Sequence, residues 1–214
     1  MDLFSNTIDW NENLLPILEE YKTKKHPLQF QNIYQLLIMV ILSAQDSDEN
    51  INKISPHFFS KFPNLESLTK SNVDEIIHLI NTVKFYENKA NWIINIATKL
   101  KKDNNIPLTM KELTSLKGIG RKSANVIMRE ANIAPEGIIV DLHVLRTASR
   151  IGLIKPTKDG LKAEKQLMTI LPKEIWNDIG MALSFLGREI CRPVPKCSQC
   201  LIFSTCQYPN KTDL

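Results

Sequence analysis

Apolar residues recur along most of the chain at the three- and four-residue spacing of an amphipathic helix, and no segment shows the convincing alternation of a half-buried strand. Trp10 to Tyr21 carries Leu14, Leu15, Ile17 and Leu18 on one stripe, then gives way to a basic linker (Lys22-Thr23-Lys24-Lys25-His26) that ends at Pro27. From Ile33 to Ala44 the chain is nearly all apolar, a length that suits a buried central helix better than a strand. Ser47 to Ser60, Val73 to Asn81, Glu87 to Lys102 and Thr109 to Ser115 carry helical spacing, and Thr109 with Glu112 forms a capping-box pattern at the head of the last of these. Helical patterning returns over Leu113–Met128, again from Leu142 to Ile151, and through Leu161–Leu171 and Ile175–Leu186. With seven glycines and no repeat period, the pattern predicts an all-α protein of small antiparallel helices joined by short loops.

Within that pattern, the corner Leu116-Lys117-Gly118-Ile119-Gly120 separates two helical segments. Two glycines around one apolar residue permit a sharp turn and the close approach of another backbone. The following helix opens on Arg121, Lys122 and Ser123, so unsatisfied amides, the positive end of the helix dipole and two cations coincide, as a phosphate site requires. An ordinary helical hairpin with a basic exposed end would give the same letters.

Asp141 follows three β-branched residues, Ile138, Ile139 and Val140, and precedes a helical pattern, which is where an N-cap belongs. Capping alone would account for it. Lys122 changes the picture: an amine at a helix N-terminus sits against the dipole, which favours its neutral, nucleophilic form, and such lysines form Schiff bases. A nearby carboxylate would then stabilise developing positive charge.

All four cysteines, Cys191, Cys197, Cys200 and Cys206, fall within sixteen residues as C-x5-C-x2-C-x5-C. No cysteine elsewhere can pair with them, so metal binding is expected, with a zinc tetrathiolate and an iron–sulfur cluster equally compatible with the spacing.

A length of 214 residues suits one compact unit or two small interleaved domains, and 43% hydrophobic with 23% charged residues is an ordinary globular balance. The net charge of +4 is unevenly spread: residues 1–60 balance at −4, leaving +8 for the remainder, a mild nucleic-acid signal. Met1-Asp2-Leu3 begins acidic with no apolar run behind it, and the longest apolar run, Leu36–Leu42, falls far short of a membrane span. A soluble, cytoplasmic protein is expected, associated with the nucleoid if the source is bacterial or archaeal.

Read together, LTSLKGIGRKSANV and IIVDLHVLR resemble the helix-hairpin-helix and catalytic-aspartate signature of the endonuclease III family of DNA glycosylases. That family's hairpin runs L-P-G-V/I-G-R/P-K-T/S-A and its aspartate lies in V-D-T-H-V/I-x-R. The resemblance implies Lys122 as nucleophile and Asp141 as the catalytic acid, with Leu116, Lys117, Gly118, Ile119, Gly120, Arg121 and Ser123 along the DNA backbone. Lys117 departs from the usual proline and Leu142 from the usual threonine. Leu42-Ser43-Ala44-Gln45-Asp46-Ser47-Asp48 resembles the family's L-S-A-Q-A/T-x-D, whose glutamine enters the gap left by an extruded nucleotide; Gln45 inherits that role and Asp48 matches the closing aspartate. The alternative for Gln45 is a polar residue bonding the free carbonyls of a helix end. Val83-Lys84-Phe85-Tyr86-Glu87-Asn88-Lys89-Ala90 resembles I-G-L/F-Y-x-x-K-A, with Phe85 as a wedge into the opposite strand and Lys84 in place of glycine; core packing of Val83 and Phe85 is the alternative. Many relatives carry a C-terminal 4Fe-4S cluster on C-x6-C-x2-C-x5-C, so the resemblance selects that cofactor, with a first loop one residue shorter here and Arg192 and Lys196 toward phosphates.

The resemblance covers roughly residues 26 to 206. It implies a six-helix barrel over 25–136 with the hairpin at about 109–130, a helical iron–sulfur domain built from 1–24 plus 137–214, and an active site in the cleft between them. The expected function is that of a bifunctional DNA glycosylase and abasic-site lyase, a monomer acting on double-stranded DNA with damaged bases or abasic sites, oxidised pyrimidines above all. Two alternatives stand beside it. One is a monofunctional mismatch glycosylase of the same superfamily, although its adenine-removing members usually lack the lysine and carry a further C-terminal domain. The other is a non-catalytic DNA-binding module with a zinc-stabilised tail.

Overall fold

The computed structural model describes residues 8–212, and those residues hold eleven α-helices and no strands. The chain divides into two compact units, one of His26–Ala134 and one of Met1–Lys25 with Pro135–Leu214; residues 1–7 and 213–214 of the expected iron–sulfur domain lie outside the described residues.

In the first unit the centre is α2 (Ile33–Leu42), whose residues from Leu36 to Leu42 are all buried together with Tyr34. A helix apolar on every side needs neighbours all round, and α3 (Asp48–Lys61), α6 (Tyr86–Leu100) and α8 (Arg121–Glu130) supply them. Between these run α4 (Leu65–Thr69), which packs on α6, α5 (Val73–Ile80), which packs on both α3 and α6, and α7 (Met110–Thr114), which forms the hairpin with α8. Tyr34 buries its ring in this core and donates its hydroxyl to the Phe62 carbonyl at 2.7 Å.

Helix starts in this unit are written in the sequence by Asn32, Ser47, Asn64, Asn72 and Thr109, each of which accepts a backbone N–H at the head of its helix. Two starts lack a side-chain cap, α6 at Phe85 and α8 at Gly120. Both lie in segments that the sequence resemblance led us to expect at DNA.

The second unit holds α1 (Trp10–Tyr21), α9 (Leu142–Ile151), α10 (Gly160–Ile170) and α11 (Trp176–Glu189). Here α11 packs against both α1 and α9, and α10 against α9. The β-branched run Ile138–Val140 finds no sheet; it is a buried extended segment lying against α11, where a Cβ on Gly180 would meet the Ile139 carbonyl oxygen at 2.5 Å. Only glycine admits that approach, and it delivers Asp141 to the head of α9. After α11 the chain turns into the cysteine loop, with a single 3-10 turn at Cys197–Gln199. No described helix is long and apolar enough to cross a membrane.

Candidate active site

At the hairpin the two glycines have different reasons to be there. Gly118 has φ +87°, and a Cβ on it would come within 2.6 Å of the Trp92 ring. Gly120 has ordinary φ, −90°, and nothing stands within 4 Å of where its Cβ would be. The fold thus demands the first glycine and leaves open space beside the second. Beyond Gly120, α8 begins without a side-chain cap, so its first amides have no partner inside the helix. Lys117 and Lys122 are exposed, Arg121 and Ser123 half-buried.

The apolar residues of the motifs behave otherwise. Leu116 and Ile119 are 3% and 4% exposed, and the Ile119 amide is already donated to the Leu116 carbonyl at 3.1 Å. Val83, expected beside the wedge, is 2% exposed. These three side chains pack the core beneath the surface that DNA was expected to touch; only their backbone could face outward.

Gln45 and Phe85 do reach the surface. Gln45 follows the end of α2 with φ +60°, and Phe85 precedes α6 with φ +59° and 57% of its surface exposed. Lys84, where glycine was the family's choice, does not take the left-handed conformation; Phe85 takes it instead.

In the second unit, Asp141 caps α9 by accepting the Val144 N–H on Oδ1 at 2.8 Å. Its Oδ2 accepts the Ser184 hydroxyl at 2.7 Å, and an Arg188 nitrogen lies 3.7 Å away. Arg188 in turn donates to Ser184 at 3.3 Å. In the first turn of α9, His143 meets the Arg146 guanidinium at 3.2 Å. Burial lowers the His143 pKa, Arg188 and Arg146 add to that, and Asp141 opposes it. Leu142, next to Asp141, is 78% exposed.

Residues 38–173 match the HhH-GPD superfamily of base excision DNA repair proteins. Endonuclease III of Synechocystis is 35% identical over 198 residues, which span 91% of this chain and 90% of that protein. Endonuclease III of Bacillus subtilis is 33% identical, over 87% of this chain and 86% of its own. The chain belongs to the endonuclease III family. A solved structure of a trapped endonuclease III–DNA covalent intermediate superposes with a TM-score of 0.83 at 32% identity, covering 92% of this chain and 93% of that one. A thermostable thymine-DNA glycosylase shares the fold, with a TM-score of 0.78 at 22% identity over 92% of this chain and 97% of its own. As an endonuclease III family member the protein is an all-α helix-hairpin-helix enzyme of DNA repair, of the DNA glycosylase and abasic-site lyase class.

The family's cysteine motif is present as four free thiols, with Cys197 buried and the others half-buried. All four line one apolar cavity with Ile151, Leu186, Ile190 and Phe203 among its walls. Burial raises the Cys200 and Cys206 thiol pKa values, and their mutual proximity with Cys191 and Cys197 acts in the same direction. Among the described residues no group of three or more His, Cys, Asp or Glu side chains is placed to hold a metal ion. The two arginines of α9 grip the entry to this loop: Arg146 Nε donates to the Cys191 carbonyl at 2.9 Å, and Arg150 donates to the carbonyls of Arg192 at 2.5 Å and Pro193 at 3.0 Å. Arg192 and Lys196 themselves point outward and are exposed.

Sequence reasoning missed Ser184 and Arg150, and placed Lys89 in a motif without giving it a role. Their partners are carbonyls or a carboxylate far along the chain, so local spacing does not announce what they bind. Lys89 is the one with an oddity to notice, a lysine 1% exposed, donating to the carbonyls of Leu42 and Ala44 at 2.7 Å each.

Proposed function

We propose that this enzyme removes damaged bases, oxidised or saturated pyrimidines foremost, from duplex DNA and then cleaves the strand 3′ to the lesion through a lysine Schiff base. The observation that carries the reading is the exposed Lys122 at the uncapped head of α8, two residues after a glycine with open space beside it. Hairpin amides and the cations of Lys117 and Arg121 hold the phosphates, so the sugar is delivered to the amine. Extruding the nucleotide costs a few kcal/mol, less for a damaged or mispaired base, which itself favours lesions. Gln45 and Phe85 occupy the space left in the duplex.

The Lys122 amine forms a bond to C1′ as the glycosidic bond breaks and its electron pair leaves with the base. Asp141 stabilises the positive charge that develops on the sugar; its orientation by Val144, Ser184 and Arg188 is what suits it to that task. Ring opening gives the protonated Schiff base. Loss of a C2′ proton then expels the 3′ phosphate by β-elimination, and water releases the lysine.

Cys191, Cys197, Cys200 and Cys206 are the residues that would hold a 4Fe-4S cluster. Four free thiols around one apolar cavity fit a cluster that distributes its thiolates over several irons, and its contribution there would be to cross-link the loop. We infer further that the protein acts as a monomer on duplex DNA carrying damaged bases or abasic sites.

Borohydride reduction in the presence of lesion-bearing duplex tests the central assignment. It should trap a covalent protein–DNA adduct, and Lys122→Ala should abolish both the adduct and strand cleavage while duplex binding persists. A trapped adduct in Lys122→Ala would give the nucleophile to another amine.

A further inference from the structure

We propose that Asp46 is a positioning residue that joins Gln45 and Phe85 into one preformed unit, so that both side chains enter an opened duplex together. The proposal rests on the reading that these two side chains fill the space of the extruded nucleotide. Gln45 and Phe85 stand on separate loops, each a non-glycine residue in left-handed backbone, φ +60° and +59°. Such conformations persist where the surroundings hold them. What holds these two is shared.

Asp46, next to Gln45, accepts the backbone N–H of Lys84, next to Phe85, on Oδ2 at 2.8 Å. Its other oxygen accepts the Ser47 N–H at 2.8 Å and the Asn50 amide at 3.0 Å, and Asn50 also donates to the Thr82 carbonyl at 3.5 Å. From the opposite direction Lys89, whose own N–H bonds the Phe85 carbonyl at 3.1 Å, sends its buried ammonium to the carbonyls of Leu42 and Ala44, just ahead of Gln45. Each loop therefore supplies a bond that fixes the other. Burial alone would raise the Asp46 pKa, but the bonds from Lys84, Asn50 and Ser47 prevail and hold the carboxyl below the usual range.

One further point favours a role in meeting DNA over a purely internal brace. The tips it steadies are exposed: Gln45 faces solvent and Phe85 has more than half its surface free. Fixing both tips before binding removes the cost of ordering them during insertion.

A double-mutant cycle tests it, using single-turnover base release from a duplex with dihydrouracil either paired or in a one-nucleotide bulge, where the lesion is already out of the stack. In the otherwise wild-type enzyme, Gln45→Ala and Phe85→Ala should each slow release from the paired duplex, with a combined effect about tenfold short of the product of the two. In an Asp46→Ala background the two effects should multiply independently. Asp46→Ala alone should slow release from the paired duplex and leave the bulge at the wild-type rate, and Asp46→Asn, which keeps an acceptor for the Lys84 N–H, should recover most of the loss. Coupling that survives Asp46→Ala, or equal slowing on both substrates as a general folding defect would give, overturns the proposal while the roles of Gln45 and Phe85 stand. Wild-type release from the paired duplex by both Gln45→Ala and Phe85→Ala overturns those roles, and the proposal with them.

Discussion

Ser184 donates its hydroxyl to Asp141 Oδ2 at 2.7 Å from a position that is 2% exposed. The contact exists because Gly180, one turn earlier on α11, lets the Ile138–Val140 segment lie against the helix and brings the carboxylate within reach of the next turn. With Val144 on Oδ1 and Ser184 on Oδ2, the carboxylate cannot rotate without losing a bond. Ser184→Ala removes one bond to a charged group, a loss of roughly 1.5–3 kcal/mol, or about 10- to 100-fold in rate if the orientation serves the transition state. Single-turnover base release should fall by that factor. Cleavage of a preformed abasic site, where the base is already gone, should fall far less. Equal loss on both substrates would mean that the serine supports the fold and not the carboxylate.

The two hairpin glycines should respond to alanine in opposite ways. Gly118→Ala places a Cβ against Trp92 at a left-handed φ and should destabilise the protein by roughly 1–3 kcal/mol, read as a lower thermal midpoint. Gly120→Ala meets nothing inside the protein. Its thermal midpoint should stay near wild type, while affinity for lesion and undamaged duplex alike should drop because a methyl group intrudes where a phosphate backbone approaches. A Gly120→Ala variant with full affinity would remove the hairpin's open side from the DNA contact.

The contrast between those glycines shows where sequence reading reaches its limit. Glycine spacing announced a tight corner, but not that one glycine answers to Trp92 and the other to open space. The helices were legible where a long apolar stripe marked them, as at α2 and α9. Helix α4, with only five residues, is too short to show a period, and its Asn64 cap alone did not announce it. Val83, Leu116 and Ile119 look alike whether they meet a partner or the core, and burial alone decides it. The cysteine cluster could be read from its spacing because its four thiols are local in sequence and line one cavity. Ser184 and Asp46 could not, because the groups that give them meaning lie 43 and 38 residues away.

His143 supplies a pH dependence. Burial depresses its folded pKa, chiefly against the pull of Asp141, so the fold favours the neutral ring. Above the ordinary histidine value of about 6.5 both folded and unfolded chains are neutral there and the contribution is complete. As pH falls through that value the unfolded chain binds the proton first, and stability declines until the folded ring also protonates. Denaturant unfolding at pH about 7.5 and about 5.5, on either side of that value, should therefore show a larger loss in the wild type than in His143→Gln. The same loss in both proteins would assign the acid sensitivity to other groups.

Arg150 and Arg192 divide one loop between backbone and side chain. The Arg150 guanidinium spans the carbonyls of Arg192 and Pro193, lies 3.8 Å from Cys191 Sγ and sits over the Tyr208 ring at 4.7 Å. A planar fork makes those contacts together, and a lysine ammonium cannot. With the proposed 4Fe-4S cluster loaded, Arg150→Lys should therefore resemble Arg150→Ala and lose iron and visible absorbance faster than wild type when challenged with a chelator and oxidant. Arg192→Ala leaves the gripped carbonyl in place and removes only an exposed cation. It should keep the iron and instead weaken binding to any duplex, lowering the slope of log affinity against log salt by about one unit. Iron loss in Arg192→Ala, or an unchanged salt slope, would mean that its side chain serves the loop and not the DNA. Full iron retention by Arg150→Lys would mean that charge, and not the fork, holds the entry to the cysteine loop.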